Sequence, residues 1–538
     1  MKIIFTILLF AFLFHINAQQ QISDFSYETT NVEKPSGYIK FDNKILFEAS
    51  PSESGRELWM NDENSNTSNL LKNIYSGQNS GIVNPLNFSS TTMNGYLYFI
   101  AKDENSSGEI WRTDGTTSGT VKITNFLNGG FRKLTTVGDF IYFLRKPSDY
   151  ILQLWKTDGT AEGTVIVKDN MPAWNRTKFE GNLNNQFIFT FQAEGTNNSK
   201  VWRSDGTLEG TFPLTDELDG NGSGVDYYEN GLGTGSPSQY CKMNGKLYFA
   251  TRRHLYVTDG TIANTKIVAN VYQANTNLVR FSDVISVNNK LYLMFYTREN
   301  QLIIWESDGT SANTKEIFSK TNPNFKYFTP SKFFDANNKL YFFGPNQVGT
   351  TSLLSLNLEN YQSEILYQVA ESIEEPSIFV RELHESDIYS VGANKYFFSV
   401  PTSNNNYHLR IGLFFNSSNN NLNEVENLNN ILQAYSNNGI LYYTKDLQVW
   451  KYDFSLLNTN NIQIENTTIY PNPATNYFTI KSKNKVNQVL ISNMLGQIIL
   501  NIPRMKGNKV DISELKPGIF NVKILTDDGI IIKKVIVK

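Results

Sequence analysis

One short motif returns at near-regular intervals along the chain and sharply limits the folds open to it. Trp111-Arg-Thr-Asp114-Gly115-Thr116 recurs as Trp155-Lys-Thr-Asp158-Gly159-Thr160, Trp202-Arg-Ser-Asp205-Gly206-Thr207, Tyr256-Val-Thr-Asp259-Gly260-Thr261 and Trp305-Glu-Ser-Asp308-Gly309-Thr310. An aromatic run precedes each copy: Asn94-Gly-Tyr-Leu-Tyr-Phe99, Gly138-Asp-Phe-Ile-Tyr-Phe143, Asn184-Asn-Gln-Phe-Ile-Phe189, Asn244-Gly-Lys-Leu-Tyr-Phe249 and Asn288-Asn-Lys-Leu-Tyr-Leu293. Degenerate copies lie on both sides, at Asn43-Lys-Ile-Leu-Phe47 with Trp59, at Asn338-Lys-Leu-Tyr-Phe342, at Asn394-Lys-Tyr-Phe-Phe398, and at Asn438-Gly-Ile-Leu-Tyr-Tyr443 with Trp450, which makes nine hairpin starts. A repeat of this length is one supersecondary unit that cannot bury its apolar surface alone and must stack on its neighbours.

Each unit reads as a strand, an Asn-Gly or Asn-Asn turn, an aromatic strand, a loop, a Trp strand, an Asp-Gly-Thr loop and a last strand such as Val165–Lys168. Four strands in a period of roughly 50 residues is the size of a propeller blade. The expected fold class is therefore all-β: a β-propeller of seven to nine four-stranded blades followed by a small immunoglobulin-like β-sandwich. A β-solenoid is the alternative, although its coils are usually shorter than this period. Composition agrees, with 13% aromatic and only 18% charged residues, and Asn, Ser, Thr and Gly crowded between short apolar runs.

The turn chemistry argues for architecture rather than catalysis. Eight residues after each aromatic anchor stand Gly119, Gly163, Gly210, Asn264 and Asn313, the two residue types that adopt positive φ cheaply, so a left-handed backbone is expected there. The carboxylates of Asp114, Asp158, Asp205, Asp259 and Asp308 can accept N–H bonds inside their own loops, as Asx-turns. An active site needs one placed acid, not five equivalent ones. The Trp residues read as blade core by the same logic.

These units resemble the ELWxxDGT repeats of exported bacterial proteins, well over residues 40–315 and poorly over 316–455. The resemblance implies an extracellular repeat protein. The motif is only loosely similar to the sialidase Asp-box, whose Ser-x-Asp-x-Gly-x-x-Trp order is not kept.

The termini extend the reading. Lys2, the apolar run Ile3–Phe14 and Ile16-Asn17-Ala18 have the layout of a secretory signal peptide, residues 1–18, cut before Gln19. The run is shorter than the ~20 apolar residues a spanning helix needs, and no other stretch is apolar enough, so no transmembrane segment is expected in the mature chain. No Cys follows the cut, which argues against a lipid anchor. Cys241 is the single cysteine and excludes an intrachain disulfide framework.

Beyond the repeat domain, residues 19–457, and an Asn-rich linker, 458–466, the composition changes. Residues 466–538 carry ten Lys and one Arg against three Asp and one Glu, a net +7 within a chain whose formal charge is −3. With Lys2 also set aside, residues 19–465 hold −11, and an acidic body argues against nucleic acid as a partner. Strand-like segments at Tyr477–Lys481, Gln488–Asn493, Gly496–Leu500, Gly518–Leu525 and Gly529–Val537 alternate apolar positions with Gly turns, which fits a small antiparallel sandwich over 467–538. Tyr470-Pro-Asn-Pro-Ala-Thr475, Val489-Leu-Ile-Ser-Asn-Met-Leu-Gly496-Gln, Leu515-Lys-Pro-Gly518-Ile-Phe and the ending Lys533-Lys-Val-Ile-Val-Lys538 are similar to the type A C-terminal sorting domain of type IX secretion in Bacteroidetes. That resemblance implies the type IX secretion machinery as a partner. It also implies removal of the domain after outer-membrane transit, with the body released or attached to surface lipopolysaccharide.

Candidate chemistry is sparse. His254, His384 and His408 do not pair at metal-ligand spacing. Cys241 fits a small packed thiol better than a nucleophile, and no Gly-x-Ser-x-Gly elbow stands out. The irregular stretch Asp216–Tyr240 contains Asp219-Gly-Asn221-Gly-Ser223-Gly-Val-Asp226, the front of a Ca2+ loop with oxygen ligands at alternate positions and Gly at the sixth. Glu229 and Asn230 then stand where a bidentate Glu should close it. Asp219, Asn221, Ser223 and Asp226 are the candidate metal ligands, against a solvated Gly-rich loop. Gly231-Leu-Gly233-Thr-Gly235 lacks the strand-to-helix setting of a dinucleotide site, and Asp103-Glu-Asn105-Ser-Ser107-Gly108 reads as a turn. No catalytic residues are assigned.

Three functions are weighed: a binding or adhesion scaffold for an unknown glycan or protein ligand; an extracellular glycan hydrolase or lyase with acids meeting in a propeller channel; and a structural surface coat. The first is favoured, because no non-repeated carboxylate pair is visible.

Overall fold

The structure is a computed structural model and describes residues 18–27, 34–51, 55–62, 65, 67–82, 84–126, 130–131, 134–148, 151–172, 178–192, 199–215, 240–250, 254–270, 279–297, 301–321, 333–345, 351–368, 388–401, 410–418, 421–425, 428–429, 431, 434–454, 468–482, 485–492, 498–503, 505, 507–526 and 529–538. Two compact units divide between Phe454 and Ser455.

The first unit is built from one local recipe used nine times among the described residues. In its second sheet, Thr91–Met93, Tyr96–Ala101, Glu109–Thr113 and Val121–Lys122 pair antiparallel in chain order. Asn94 and Gly95 make the first turn at φ 51° and 78°. Two consecutive positive φ values match the right-handed twist of the flanking strands, which is why Asn and Gly recur at this point. The same paired positive φ occurs at Asn184-Asn185, Asn244-Gly245, Asn288-Asn289, Asn337-Asn338 and Asn438-Gly439. Register then follows from the turn: Phe99 lies opposite Trp111, Phe143 opposite Trp155, Phe189 opposite Trp202, Phe249 opposite Tyr256, and Leu293 opposite Trp305.

Numbered by chain position, the sheets span Ser36–Lys72, Thr91–Lys122, Gly130–Pro172, Lys178–Pro213, Tyr240–Asn270, Val279–Thr321, Phe334–Gln368, Ile388–Glu424 and Ala434–Asp453. In the third, the first strand is split into Gly130–Phe131 and Thr135–Val137, both on Phe140–Ser148. A single helical turn, Leu86–Ser89, interrupts the strand pattern.

Each sheet is apolar on both faces because a neighbour covers each face. Leu46 and Leu58 of the first pack with Leu97 and Phe99 of the second. Ile100 and Ile110 on the other side of the second pack with Ile141 and Phe143 of the third. The pattern continues through the third and fourth, fourth and fifth, fifth and sixth, sixth and seventh, and seventh and eighth sheets. Phe397 and Phe414 of the eighth meet Phe454 at the end of the ninth, at 5.8 Å and 5.4 Å between ring centroids. Tyr442 and Val449 of the ninth pack on Ile45 and Phe47 of the first, so the packing order returns to its start. First strands of neighbouring sheets lie against one another, as where Thr91 and Thr136 hydroxyls meet at 2.8 Å. The fourth strand of the ninth sheet is Gln19–Gln21, with Gln19 opposite Tyr452.

The second unit is a two-layer sandwich. Thr468–Tyr470, Tyr477–Lys481 and Lys509–Asp511 form one sheet. Ile498–Ile502, Val486–Ser492, Gly518–Thr526 and Gly529–Val537 form the other in that order. Phe478, Ile480 and Val510 from the first layer and Val489, Ile491, Val522, Ile524 and Val535 from the second make its core. The sandwich differs from the sequence reading in one respect: Thr468–Tyr470 and Lys509–Asp511 are strands that the pattern does not show. Of the third expected strand, Gly496 lies outside the described residues and Ile498–Leu500 is strand. Both short strands have only three residues, too few to show a period.

Phe249 is wholly buried between the fourth and fifth sheets. Phe249→Ala is expected to cost about 3–5 kcal/mol in urea unfolding, the range for an aromatic deleted from a close-packed core.

Candidate functional site

The recurring loops are the natural place to look for chemistry, and their geometry is the same each time. Thr116 donates its N–H (2.9 Å) and its hydroxyl (2.7 Å) to Asp114 Oδ1. Gly115 donates its N–H to Thr113 Oγ1 at 3.0 Å, and the Thr120 hydroxyl donates to the Thr116 carbonyl at 2.6 Å. The Asp–Thr pair of bonds recurs at Asp158, Asp205, Asp259 and Asp308, with the N–H at 2.9 Å or 3.0 Å and the hydroxyl at 2.7 Å. These are Asx-turns reinforced by a hydroxyl ladder. The hydroxyl and N–H of the following Thr hold the carboxyls of Asp114 and Asp158 below the usual carboxylate range. A depressed acid of this kind stays ionised and is unsuited to donate a proton near neutrality.

The left-handed residue in each loop is the Gly directly after Asp: Gly115, Gly159, Gly206, Gly260 and Gly309 have φ between 82° and 93°. The expectation of positive φ at Gly119, Gly163, Gly210, Asn264 and Asn313 is corrected, since none of them adopts it. Those positions are set by the carboxylate instead. A Cβ on Gly119 would stand 2.0 Å from Asp114 Oδ1, and the figures for Gly163 and Gly210 are 2.1 Å and 1.9 Å. Where Asn replaces Gly, Asn264 Nδ2 donates to Asp259 Oδ2 and Asn313 Nδ2 to Asp308 Oδ2, both at 2.7 Å. The loop thus has two solutions: the carboxylate lies over a bare Cα, or it is held by an amide.

Each loop is also grasped by the preceding sheet. Arg112 Nη1 donates to the Gly159 carbonyl, and Arg203 Nη1 to the Gly260 carbonyl, each at 3.1 Å. A Cβ at Gly159, Gly206 or Gly309 would stand 2.1, 2.6 or 2.4 Å from the hydroxyl of Tyr98, Tyr142 or Tyr248. The seventh sheet lacks the motif and reverses the polarity. Glu306 of the sixth accepts from the Tyr361 hydroxyl (3.1 Å) and the Tyr292 hydroxyl (3.1 Å), and pairs with Lys290 at 3.0 Å. The repeated Trp side chains serve packing: Trp111 is buried, and Trp155 stacks on Phe143.

The other sequence candidates are scattered. Asp219, Asn221, Ser223 and Asp226, the candidate Ca2+ ligands, lie outside the described residues, as do Gly231–Gly235, His384 and His408. His254 is on a strand, edge-on to Tyr256 at 5.9 Å. Burial pushes the Cys241 thiol up to about 11, which leaves little thiolate at neutral pH. Asp103 makes the expected turn, accepting from the Asn105 N–H at 3.1 Å, and its other oxygen meets Lys122 Nζ at 2.6 Å. Among the described residues, no group of three or more His, Cys, Asp or Glu is placed to hold a metal ion, and no helix is long and apolar enough to cross a membrane.

One buried acid escapes the sequence reading. Glu57 accepts N–H bonds from Ile74 (2.7 Å), Tyr75 (3.2 Å) and Gly81 (2.9 Å). Burial pushes its carboxyl up to about 7 against the pull of those donors. Glu109 holds the equivalent place two residues before Trp111 and accepts from the Thr124 hydroxyl. That shared spacing is the available signal, and the role of the acid is to pin the loop that follows the fourth strand.

Two outcomes follow for the loops. Gly159→Ala is expected to destabilise by about 1–3 kcal/mol, the range for a forced backbone conformation, while Gly119→Asn should cost less in the same urea titrations because the chain already uses that solution elsewhere. The second outcome concerns pH. A depressed Asp contributes stability above its unfolded value of about 3.9 and loses it as pH falls through the folded value. The difference in thermal midpoint between the parent and Asp158→Asn should therefore be constant at neutral pH and shrink below about pH 4.

In the second unit, the Tyr470-Pro-Asn-Pro segment is tied to the last strand. Asn472 Nδ2 donates to the Lys534 carbonyl, and Asn472 Oδ1 accepts from the Ile536 N–H, both at 2.8 Å. The Lys538 N–H donates to the Ala474 carbonyl at 2.9 Å. Motif and terminus therefore form one surface, with Tyr470, Ile519 and Ile536 exposed.

No curated protein matches the chain. Among solved structures, the computationally designed Ika8 protein aligns at TM-score 0.37 and 10% identity, over 81% of this chain and 99% of that one. Sqt1 of Saccharomyces cerevisiae aligns at 0.36 and 8%, over 76% and 99%. A prolyl endopeptidase structure aligns at 0.36 and 10%, over 72% of this chain and 55% of that one. Residues 468–538 match the family described as the secretion system C-terminal sorting domain. The C-terminal unit is accordingly a type IX secretion C-terminal sorting domain, and the protein is one exported to the cell surface or secreted.

Proposed function

We propose that the nine sheets are the blades of a β-propeller of ELWxxDGT-type repeats, and that this body is a binding or adhesion scaffold for a glycan or protein outside the cell. The observation that carries the reading is the fate of the repeated acids. All five loop carboxylates are engaged within their own turns. Their Gly neighbours are engaged by the adjoining sheet, so the pattern that recurs along the chain is consumed by architecture. Recognition is then left to the segments that do not repeat.

An enzyme would need a second, differently placed set of acids. The residue paired with the second position of each sheet's second strand is Lys40, Thr92, Thr136, Asn182, Lys242, Ser286, Asp335, Ser390 and Ser436. Hydroxyl and amide groups dominate the set, with one carboxylate, whereas glycoside hydrolysis in most families uses two. In the proposed propeller these first-strand positions would face the channel, and such a set suits hydrogen bonding to a polyhydroxylated ligand better than acid–base chemistry.

The test is to screen the full mature chain on glycan and cell-surface protein arrays beside Asp158→Asn, with polysaccharides assayed for new reducing or unsaturated ends. Binding retained by the variant, with no product formed, is the expected result. Product release that a single acid substitution abolishes would replace the scaffold by an enzyme.

A further inference from the structure

The start of the described chain is part of the seam that joins the two ends of the first unit. Gln19 lies opposite Tyr452, and its Nε2 donates to the Tyr443 hydroxyl at 2.7 Å. Ile22 donates its N–H to the Val449 carbonyl at 2.9 Å and is 1% exposed. Gln448 Oε1 accepts from the Ser23 hydroxyl (2.7 Å) and the Phe25 N–H (2.9 Å), while Gln448 Nε2 donates to the Phe25 carbonyl at 2.9 Å. Phe25 then lies edge-on to Trp59 of the first sheet, 4.9 Å between centroids. The pairing reaches one residue further back, where the Ala18 carbonyl accepts the Asp453 N–H at 2.8 Å.

Ala18 is the last residue of the proposed leader. The bond to be cut, Ala18–Gln19, is therefore held inside the seam in a folded precursor. We infer that closure of the repeat domain masks the leader cleavage site, so that leader removal precedes closure of the ring. This rests on the reading of residues 1–18 as a cleaved leader.

The physical reason is competition for the same main-chain groups. A peptidase binds its substrate as an extended strand through the peptide N–H and C=O groups. The seam already uses the Ala18 carbonyl, and the adjoining residues are anchored by Ile22 and Phe25. Cleavage hydrolyses the Ala18–Gln19 amide: the water oxygen adds to the Ala18 carbonyl carbon, the C–N bond breaks, and both water protons end on the Gln19 nitrogen. The products are an Ala18 carboxylate and a Gln19 ammonium. In a closed precursor this can occur only from transiently opened molecules, so its rate tracks the opening equilibrium. Closure needs Gln448–Asp453 as well, which stand at the opposite end of the first unit, so the site stays open while most of the chain is still being exported.

The experiment uses the complete precursor, residues 1–538, purified in detergent and treated with leader peptidase. One sample is folded, as judged by tryptophan fluorescence, and the other is unfolded in urea and diluted into the reaction at time zero. Intact mass and N-terminal sequencing report the cut. Cleavage before Gln19 is expected to be at least about tenfold slower in the folded sample, and Gln448→Ala, which releases Ser23 and Phe25, should speed the folded sample alone. Equal rates for folded and unfolded parent would overturn the inference. No cut before Gln19 in either sample would instead remove the leader reading on which it stands, and the inference with it.

Discussion

A four-stranded sheet that is apolar on both faces cannot stand alone in water, and the whole first unit follows from that constraint. Phe99, Phe143, Phe189 and Phe249 are fully buried on second strands whose central residues are buried on both faces. Covering one face with a neighbour leaves that neighbour's far face bare. An open stack would thus end in two exposed apolar surfaces, whereas a cyclic order has none. Tyr442 and Val449 packing on Ile45 and Phe47, together with strand Gln19–Gln21 on Gln448–Asp453, are how the chain meets the condition.

Within that order the Asp-Gly-Thr loop does more than turn the chain. Its Asp and Thr satisfy the loop internally, while its Gly leaves room for the Tyr hydroxyl of the sheet before and presents a carbonyl to Arg112 or Arg203. The motif is therefore a fastening between sheets as well as a local turn. The seventh sheet shows the same requirement met with different chemistry: the loop residue becomes Tyr361 and the facing residue becomes Glu306, so donor and acceptor exchange sides. In the seventh sheet the repeat degenerates with a change in how the sheet is fastened, and the sheet itself is kept.

The two units also divide labour in charge and chemistry. The acidic body spends its repeated groups on holding itself together. The basic C-terminal unit ties Tyr470-Pro-Asn-Pro to its final strand through Asn472, so that the residues most characteristic of a sorting signal and the end of the chain share a surface. Export is legible from that unit alone, and the repeated loop carboxylates of the body are taken up by its own architecture.

Much of this is legible in the sequence because it is local. Nine hairpin starts, their Asn and Gly turns and the pairing of an aromatic strand with a Trp strand depend on residues within about a dozen positions of one another, and periodicity and turn propensity report on that range. Three-residue strands such as Thr468–Tyr470 carry too little pattern to be seen. Gly119 is local and still misread: it reads as a left-handed residue, but it is Gly because the Asp114 carboxylate lies over it, a side-chain contact that neither period nor turn propensity reports. Positions decided by distant partners are invisible. Gly159 answers to Tyr98 and Arg112 of another sheet, Glu57 to the N–H groups of Ile74, Tyr75 and Gly81, and Gln448 to Ser23 and Phe25. The sequence by itself determined the repeating unit and the export address, since both are written in contiguous residues. Only the tertiary structure decided which side chains fasten one unit to the next and where the first strand goes, because those contacts join residues that chain order keeps far apart.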